Sequence, residues 1–252
     1  MKLSLCIATF NEEKNIHYPL DSALDIVDEV IIVDGGSTDK TIEIAKSYGK
    51  KVKIIDSENP TMFHKNKQKA IETATGEWIL QLDADEELTD ELKTEIKKII
   101  HQQKEIVAFW IPRKNWFLTR FLEKGGQYPD YTIRLYRNGY AKFPCKDVHE
   151  NVEIKGSVGY LKNPILHYAD PDFSRYLMRW DRYTTLDVEN PKSKIQNPKF
   201  FNYFISKPFS TFFLMYFRHK GFVDGFPGFV FALFSSIRFW VIYIKWKTRR
   251  LS

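Results

Sequence analysis

Cysteine is scarce in this chain and has no pattern: Cys6 lies in an apolar run and Cys145 in an unrelated segment. That excludes a disulfide framework and a paired-cysteine metal site. No G-x-G-x-x-G follows the first apolar run, so the dinucleotide fingerprint is missing, and no phosphoacceptor arrangement accompanies "VDGGSTDKT". Internal repeats and low-complexity tracts are absent too. The opening "MKLSLCIATFNEE" puts one Lys before a short apolar run that meets Asn11 and Glu12 too early for a secretory h-region. No signal peptide is expected, and the cytoplasm is the expected compartment. Acidic residues run short towards the other end, where eight Lys and Arg residues from Phe200 onward face only Asp224. The tail is thus +7 in a chain of +6, which leaves about −1 for the first 199 residues. No basic groove-binding element is present, so no nucleic-acid partner is expected. The same tail is crowded with Phe, Tyr and Trp, and basic charge interleaved with aromatic bulk suits an anionic membrane surface.

What is present is enough chain, 252 residues, for a sizeable core. "LSLCIAT" (3–9), "DEVIIVDGG" (28–36), "KVKIID" (51–56) and "EWILQLD" (77–83) read as strands, separated by helical patterns over about 15–24, 37–49 and 62–75. Ser37, Thr38 and Asp39 offer N-cap oxygens to the second helix, and Gly49 stops it. Near-continuous apolar strands joined by crossover helices predict an α/β fold with a mostly parallel sheet covered on both faces. A further helix (89–103) and strand (106–112) follow, after which "YTIRLYRNG" and "DVHENVEI" read as antiparallel pieces of an acceptor side. The division expected is a domain over 1–199, with a Rossmann-like nucleotide-binding half (1–112) and a mixed acceptor half (113–199). A helical, aromatic and basic membrane-attachment segment (200–252) would follow. Its longest helix-compatible stretch, 229–244, would rise roughly 24 Å, short of a ~30 Å hydrocarbon core, and Arg238 interrupts it. In-plane attachment is therefore preferred to spanning, with a hairpin packed on the protein as the alternative.

In parallel sheets, ligands bind beyond the carboxyl ends of the strands. Asn11 and Glu12 follow the first strand, Asp34 ends the second, and Asp83 and Asp85 end the fourth, so these groups should share one rim. Gathered carboxylates must stay solvated, protonate or meet a cation. The D-x-D unit Asp83/Asp85 offers oxygen ligands suited to Mg²⁺ or Mn²⁺, with open positions for phosphates. Glu87 is assigned to the acidic first turn of the next helix, and Lys67 and Lys69 to a solvated helix face.

The stretches "CIATFNEEKNI", "VIIVDGGSTDKT", "HKNKQKAIETATGEWILQLDADEEL" and "DVHENV", in this order and spacing, resemble the family 2 glycosyltransferases, inverting enzymes of the GT-A fold. The resemblance covers roughly residues 1–170. "YPDYTIRLYRNG", "PILHY" and the aromatic tail are similar to the branch of lipopolysaccharide-core β-1,4-glucosyltransferases. It implies that Thr9, Asn11, Glu12, Asp34, Lys65, Asn66 and Asp83 face the nucleotide. Asp85, with Asp83 and His167, would hold Mg²⁺ or Mn²⁺. Glu150 would act as general base, with Asp147 as runner-up, and Arg134 and His149 would meet phosphate or acceptor. The structural alternative for Arg134 is a salt bridge.

The function so implied is transfer of a hexose from a UDP-sugar to a hydroxyl of a lipid-linked or cell-surface glycan, at the inner face of the cell membrane. A polyprenyl-phosphate sugar synthase and a non-catalytic nucleotide-binding scaffold are the rival readings.

Overall fold

The structure, a computed structural model, describes residues 1–60, 62–102, 105–145, 151–170, 172–189, 195 and 198–249. The alternation expected from the sequence is there: β1 (Leu3–Thr9), α1 (His17–Ala23), β2 (Glu29–Asp34), α2 (Thr41–Ser47), β3 (Val52–Asp56), α3 (His64–Thr73) and β4 (Trp78–Asp83). After it come β5 (Glu86–Leu88), α4 (Asp90–Gln102), β6 (Ile106–Phe117), β7 (Arg120–Phe121), β8 (Asp130–Arg137), β9 (Ala141–Lys142), β10 (Glu153–Ile154), β11 (Ser157–Tyr160) and β12 (Ile165–Asp170). The elements described after β12 are helical: α5 (Phe173–Glu189), α6 (Lys207–Phe212) flanked by two π-helical turns, a 3₁₀ turn (Gly221–Asp224) and α7 (Gly225–Arg249). Contacts gather the chain into two compact units, Met1–Arg113 with Asp130–His167, and Lys114–Pro129 with Tyr168–Ser252.

The main sheet runs β3-β2-β1-β4-β8-β6-β12-β5. β1 pairs parallel with β2 and β4, and β2 with β3, whereas β8 lies antiparallel to both β4 and β6. The period-2 pattern of strands sorts their side chains to two covered faces. Leu5, Ile7, Val30, Ile32, Leu80 and Leu82 pack with Leu20 of α1 and Leu92 of α4, while Cys6, Ile31, Val33 and Ile79 pack with Ala70 and Ile71 of α3. Register then fixes the rim: Thr9 pairs with Asp34, and Asp83 with Ala8. All three thus sit where the parallel strands end.

In the second unit, Phe117, Leu122 and Tyr176 are buried, with Trp180, Phe231 and Phe234 packed against them. α7 differs from the sequence expectation. It spans 25 residues, about 38 Å at 1.5 Å per residue, so it exceeds a ~30 Å hydrocarbon core rather than falling short. The segment Gly221–Arg249 is long and apolar enough to cross a membrane on length and composition alone. Arg238 does not break it, because its guanidinium is ion-paired with Asp187 of α5. Lys245 likewise reaches Asp181 at 2.7 Å, and the indole of Trp180 donates to the carbonyl of Phe234 at 3.2 Å. One face of α7 is therefore occupied within its own unit.

The entry to α7 depends on two glycines. A methyl group at Gly228 would lie 2.1 Å from the carbonyl oxygen of Gly221. Gly228→Ala is expected to cost about 1–3 kcal/mol through overpacking, read as a lower thermal unfolding midpoint. An unchanged midpoint would show that this close approach is not needed.

Candidate functional site

The site begins with two loops stitched together beyond β1 and β2. Asn11 has a left-handed backbone, φ 55°, which Asn tolerates better than most residues. Its N–H donates to Ser37 Oγ at 2.8 Å, and its Oδ1 accepts from Thr38 N–H at 2.8 Å. Glu12 N–H donates to Thr41 Oγ1 at 2.7 Å, and Glu12 Oε2 accepts from Asn15 at 2.6 Å. Asp34 is buried and closes its own turn. It accepts from Gly36 N–H (2.9 Å), Ser37 N–H (2.7 Å) and Ser37 Oγ (2.5 Å). A carboxylate has about four acceptor sites, so room for one further donor remains. Thr9 Oγ1 is buried and has no hydrogen-bond partner among the described residues. An orphaned hydroxyl at a strand end costs free energy unless a ligand meets it.

The acidic stretch after β4 does not behave as one group. Arg134 on β8 is buried. It donates through Nη1 to Gln81 Oε1 at 2.6 Å and through Nη2 to Asp83 Oδ2 at 2.5 Å and Glu86 Oε1 at 2.7 Å. Lys67 pairs with the other Asp83 oxygen. Glu86, fully buried, also accepts from Asp83 N–H at 2.9 Å and lies 3.4 Å from Arg113, which in turn grips Asp130 at 2.7 Å. Burial alone would raise the Asp83 pKa, but Arg134 and Lys67 outweigh it and hold the carboxyl well below the usual carboxylate range. The same carboxylates push the Arg134 guanidinium up, against its own burial.

Asp85 lies against His167. β5 pairs antiparallel with β12, His167 opposite Glu86, and this brings His167 Nε2 to 3.5 Å from Asp85 Oδ1. Among the described residues no three His, Cys, Asp or Glu side chains gather as a metal cluster. Of the expected trio, Asp83 gives both its oxygens to cationic side chains, and Asp85 and His167 lie together. A carboxylate and an imidazole still form a donor pair that fits a divalent ion whose other positions are filled by phosphate and water.

α3 also departs from expectation. Lys65 is exposed, and Asn66 is buried, accepting from Ser57 Oγ at 3.0 Å and donating to the Glu58 carbonyl at 2.9 Å. The side chain that reaches the rim is Lys67, expected on a solvated face but buried. His64, Lys67, Ala70 and Ile71 share the inward face at helical spacing. That spacing is readable in "HKNKQKAI", whereas the partners of Glu86 and Arg113 follow from strand pairing, which the sequence does not display. Beside Asp83 lies a cavity of about 220 Å³ whose lining includes Lys67, Trp110, Arg113, Arg134 and Asn151. Glu150, His149 and Asp147 lie outside the described residues.

Known proteins point the same way. The model of glycosyl transferase family 2 matches residues 4–162. An uncharacterized glycosyltransferase of Rickettsia typhi is 32% identical over 94% of this chain and 84% of its own length. The lipopolysaccharide core biosynthesis glycosyltransferase LpsC of Rhizobium meliloti is 26% identical over 94% and 92%. Among solved structures, the mannosyltransferase PcManGT of Pyrobaculum calidifontis, in complex with GDP-Man and Mn²⁺, has a TM-score of 0.58 at 12% identity, covering 97% of this chain and 86% of that one. S. aureus TarS 1–349 in complex with UDP gives 0.51 at 17%, covering 98% and 88%. At these identities the structural likeness shows the fold, a GT-A type α/β sheet.

The ion pairs of Asp83 leave a mark on acid stability. Its native pKa lies below an unfolded value of about 3.9, so its contribution is complete above that value and is lost as pH falls through and below it. The stability gap between wild type and Asp83→Asn is expected to narrow as pH falls from about 5 towards 2, measured by urea midpoints. A gap that stays constant over that window would contradict the ion-pair account.

Proposed function

Because the chain belongs to glycosyl transferase family 2, we propose that it moves a hexose from a UDP-sugar to a hydroxyl of a lipid-linked or cell-surface glycan, inverting the anomeric carbon. The observation that carries this reading is the rim itself. Thr9, Asp34 and Asp83 sit at neighbouring strand ends, with Asp85 and His167 side by side. The relative named for lipopolysaccharide core biosynthesis supports a glycan acceptor. The TarS complex with UDP supports a uridine donor, although a GDP-Man complex has the same fold.

In this reading the nucleoside lies against the stitched loops, where the Thr9 hydroxyl, the Asn11 and Glu12 loop and the remaining acceptor site of Asp34 meet it. Lys65 and Asn66 flank the same end of the sheet, and Lys67 with Arg134 keeps Asp83 ionised and fixed. Asp85 and His167 would hold the divalent ion, and the imidazole favours Mn²⁺ over Mg²⁺, which prefers oxygen-only shells. Bound there, such an ion supplies positive charge to the departing diphosphate. Glu150 takes the proton of the acceptor hydroxyl as its oxygen bonds to the anomeric carbon, and the bond to the diphosphate breaks with its electron pair leaving on that group. Asn151, the chain neighbour of Glu150, lines the cavity beside Asp83, which supports this assignment. His149 is proposed as a phosphate contact. The setting proposed is the cytoplasmic face of a membrane, where a lipid-linked acceptor is displayed.

Asp85→Ala is expected to lower metal-dependent UDP release and transfer by roughly 10²-fold or more with the fold intact. Transfer at the wild-type rate would remove Asp85 from the mechanism. Glu150→Gln should still bind UDP and Mn²⁺ by thermal shift, yet turn over about 10²- to 10⁴-fold more slowly. Unchanged turnover would move the base elsewhere.

A further inference from the structure

The corner between the two long helical segments of the second unit exposes an unusual amount of aromatic surface. Phe209, Phe213 and Phe217 follow at intervals of four before the corner, and Phe222 and Phe226 at the same interval after it. Phe209 is 75% exposed, Phe226 72% and Phe213 63%. The rings nearest the corner are continuous: Phe213 lies 5.4 Å from Phe217, and Tyr216 lies 5.2 Å from Phe217 and 6.2 Å from Phe222. Contiguous apolar surface of this kind marks an interaction site rather than ordinary surface variation.

The corner is also preformed. A Cβ on Gly221 would lie 2.8 Å from the Met215 carbonyl oxygen, and Asp224, buried, accepts from the N–H groups of Glu123 and Lys124 at 3.1 and 2.8 Å. That use of Asp224 has an electrostatic consequence. The tail's one acidic group faces inward, while Arg218, His219 and Lys220 are exposed between the two rows of phenylalanines. Glu123, the nearby acid on the loop that Asp224 holds, is ion-paired with Lys114 at 2.7 Å.

We propose that this corner, residues 209–226, is the membrane-docking surface of the protein. The phenylalanines enter the headgroup and acyl boundary of an anionic bilayer, and Arg218 and Lys220 meet lipid phosphates. The inference rests on the membrane-peripheral part of the proposed function and names the surface responsible. A second copy of the chain is a poorer occupant, because a two-fold contact places the same basic patch on both sides and so brings like charge towards like charge. An anionic bilayer offers an apolar boundary and the opposite charge together.

The test uses the full chain and sedimentation with vesicles of phosphatidylcholine, alone or mixed with phosphatidylglycerol. Wild type is expected to bind the anionic vesicles. Phe209→Asp with Phe226→Asp should lower the partition coefficient by roughly tenfold or more. Arg218→Glu with Lys220→Glu should abolish the preference for phosphatidylglycerol. Both variants should release UDP at the wild-type rate, so failure of the transferase reading would appear separately, as a wild type that releases none. Phe226→Trp supplies a folded reporter whose emission should shift to the blue on anionic vesicles. Sedimentation of the phenylalanine variant like wild type, an unshifted emission from the Phe226→Trp reporter, or a wild-type dimer that ignores vesicles and is broken by the same substitutions would each overturn the proposal.

Discussion

The guanidinium of Arg134 lies out of water between Gln81, Asp83 and Glu86, and the rim depends on it. Two carboxylates this close and this buried repel one another and lose hydration, so without an opposite charge they would protonate or force the strand end open. Leu80 pairs with Leu135, and this register sets Arg134 beside Gln81. The change from parallel to antiparallel pairing at β4 and β8 is thus also the step that supplies the neutralising charge. Lys67 from α3 and Arg113 from β6 complete the arrangement from two other elements.

The acidic motif is consequently divided in two. Asp83 and Glu86 are anchored by side chains of the protein, with Glu86 tied also to the backbone of Asp83. Asp85, between them in sequence, turns towards His167. Ala84 and Asp85 form the turn between β4 and β5, so Asp85 is placed by that turn and not by the side-to-side alternation of either strand. A fixed pair thus flanks a carboxylate that lies against an imidazole.

Much of this is legible in the sequence, and the rest is hidden for definite reasons. The alternation of strands and helices implies the sheet, and the rule that ligands sit beyond the carboxyl ends of parallel strands is enough to bring Thr9, Asp34 and Asp83 to one rim. At α3 the local pattern competes with composition. Three lysines in "HKNKQK" suggest a solvated face, yet the spacing of His64, Lys67, Ala70 and Ile71 marks Lys67 as inward. The roles of Glu86 and Arg113 are not readable, because their partners are fixed by antiparallel register between distant segments. The Gly and Pro residues at 225–228 look like a break and make α7 seem too short, whereas proline is tolerated in a first helical turn.

The pairing of β5 with β12 carries one more consequence, for the order in which the molecule assembles. Asp85 is synthesised early, together with the parallel strands, and can take its place as soon as they pack. His167 arrives only with the closing strand of the same unit, after β6 and β8 have been laid down. Contacts between remote segments form late, because chain closure is entropically costly. A nascent chain can therefore have the loops beyond β1 and β2 formed while His167 is still missing.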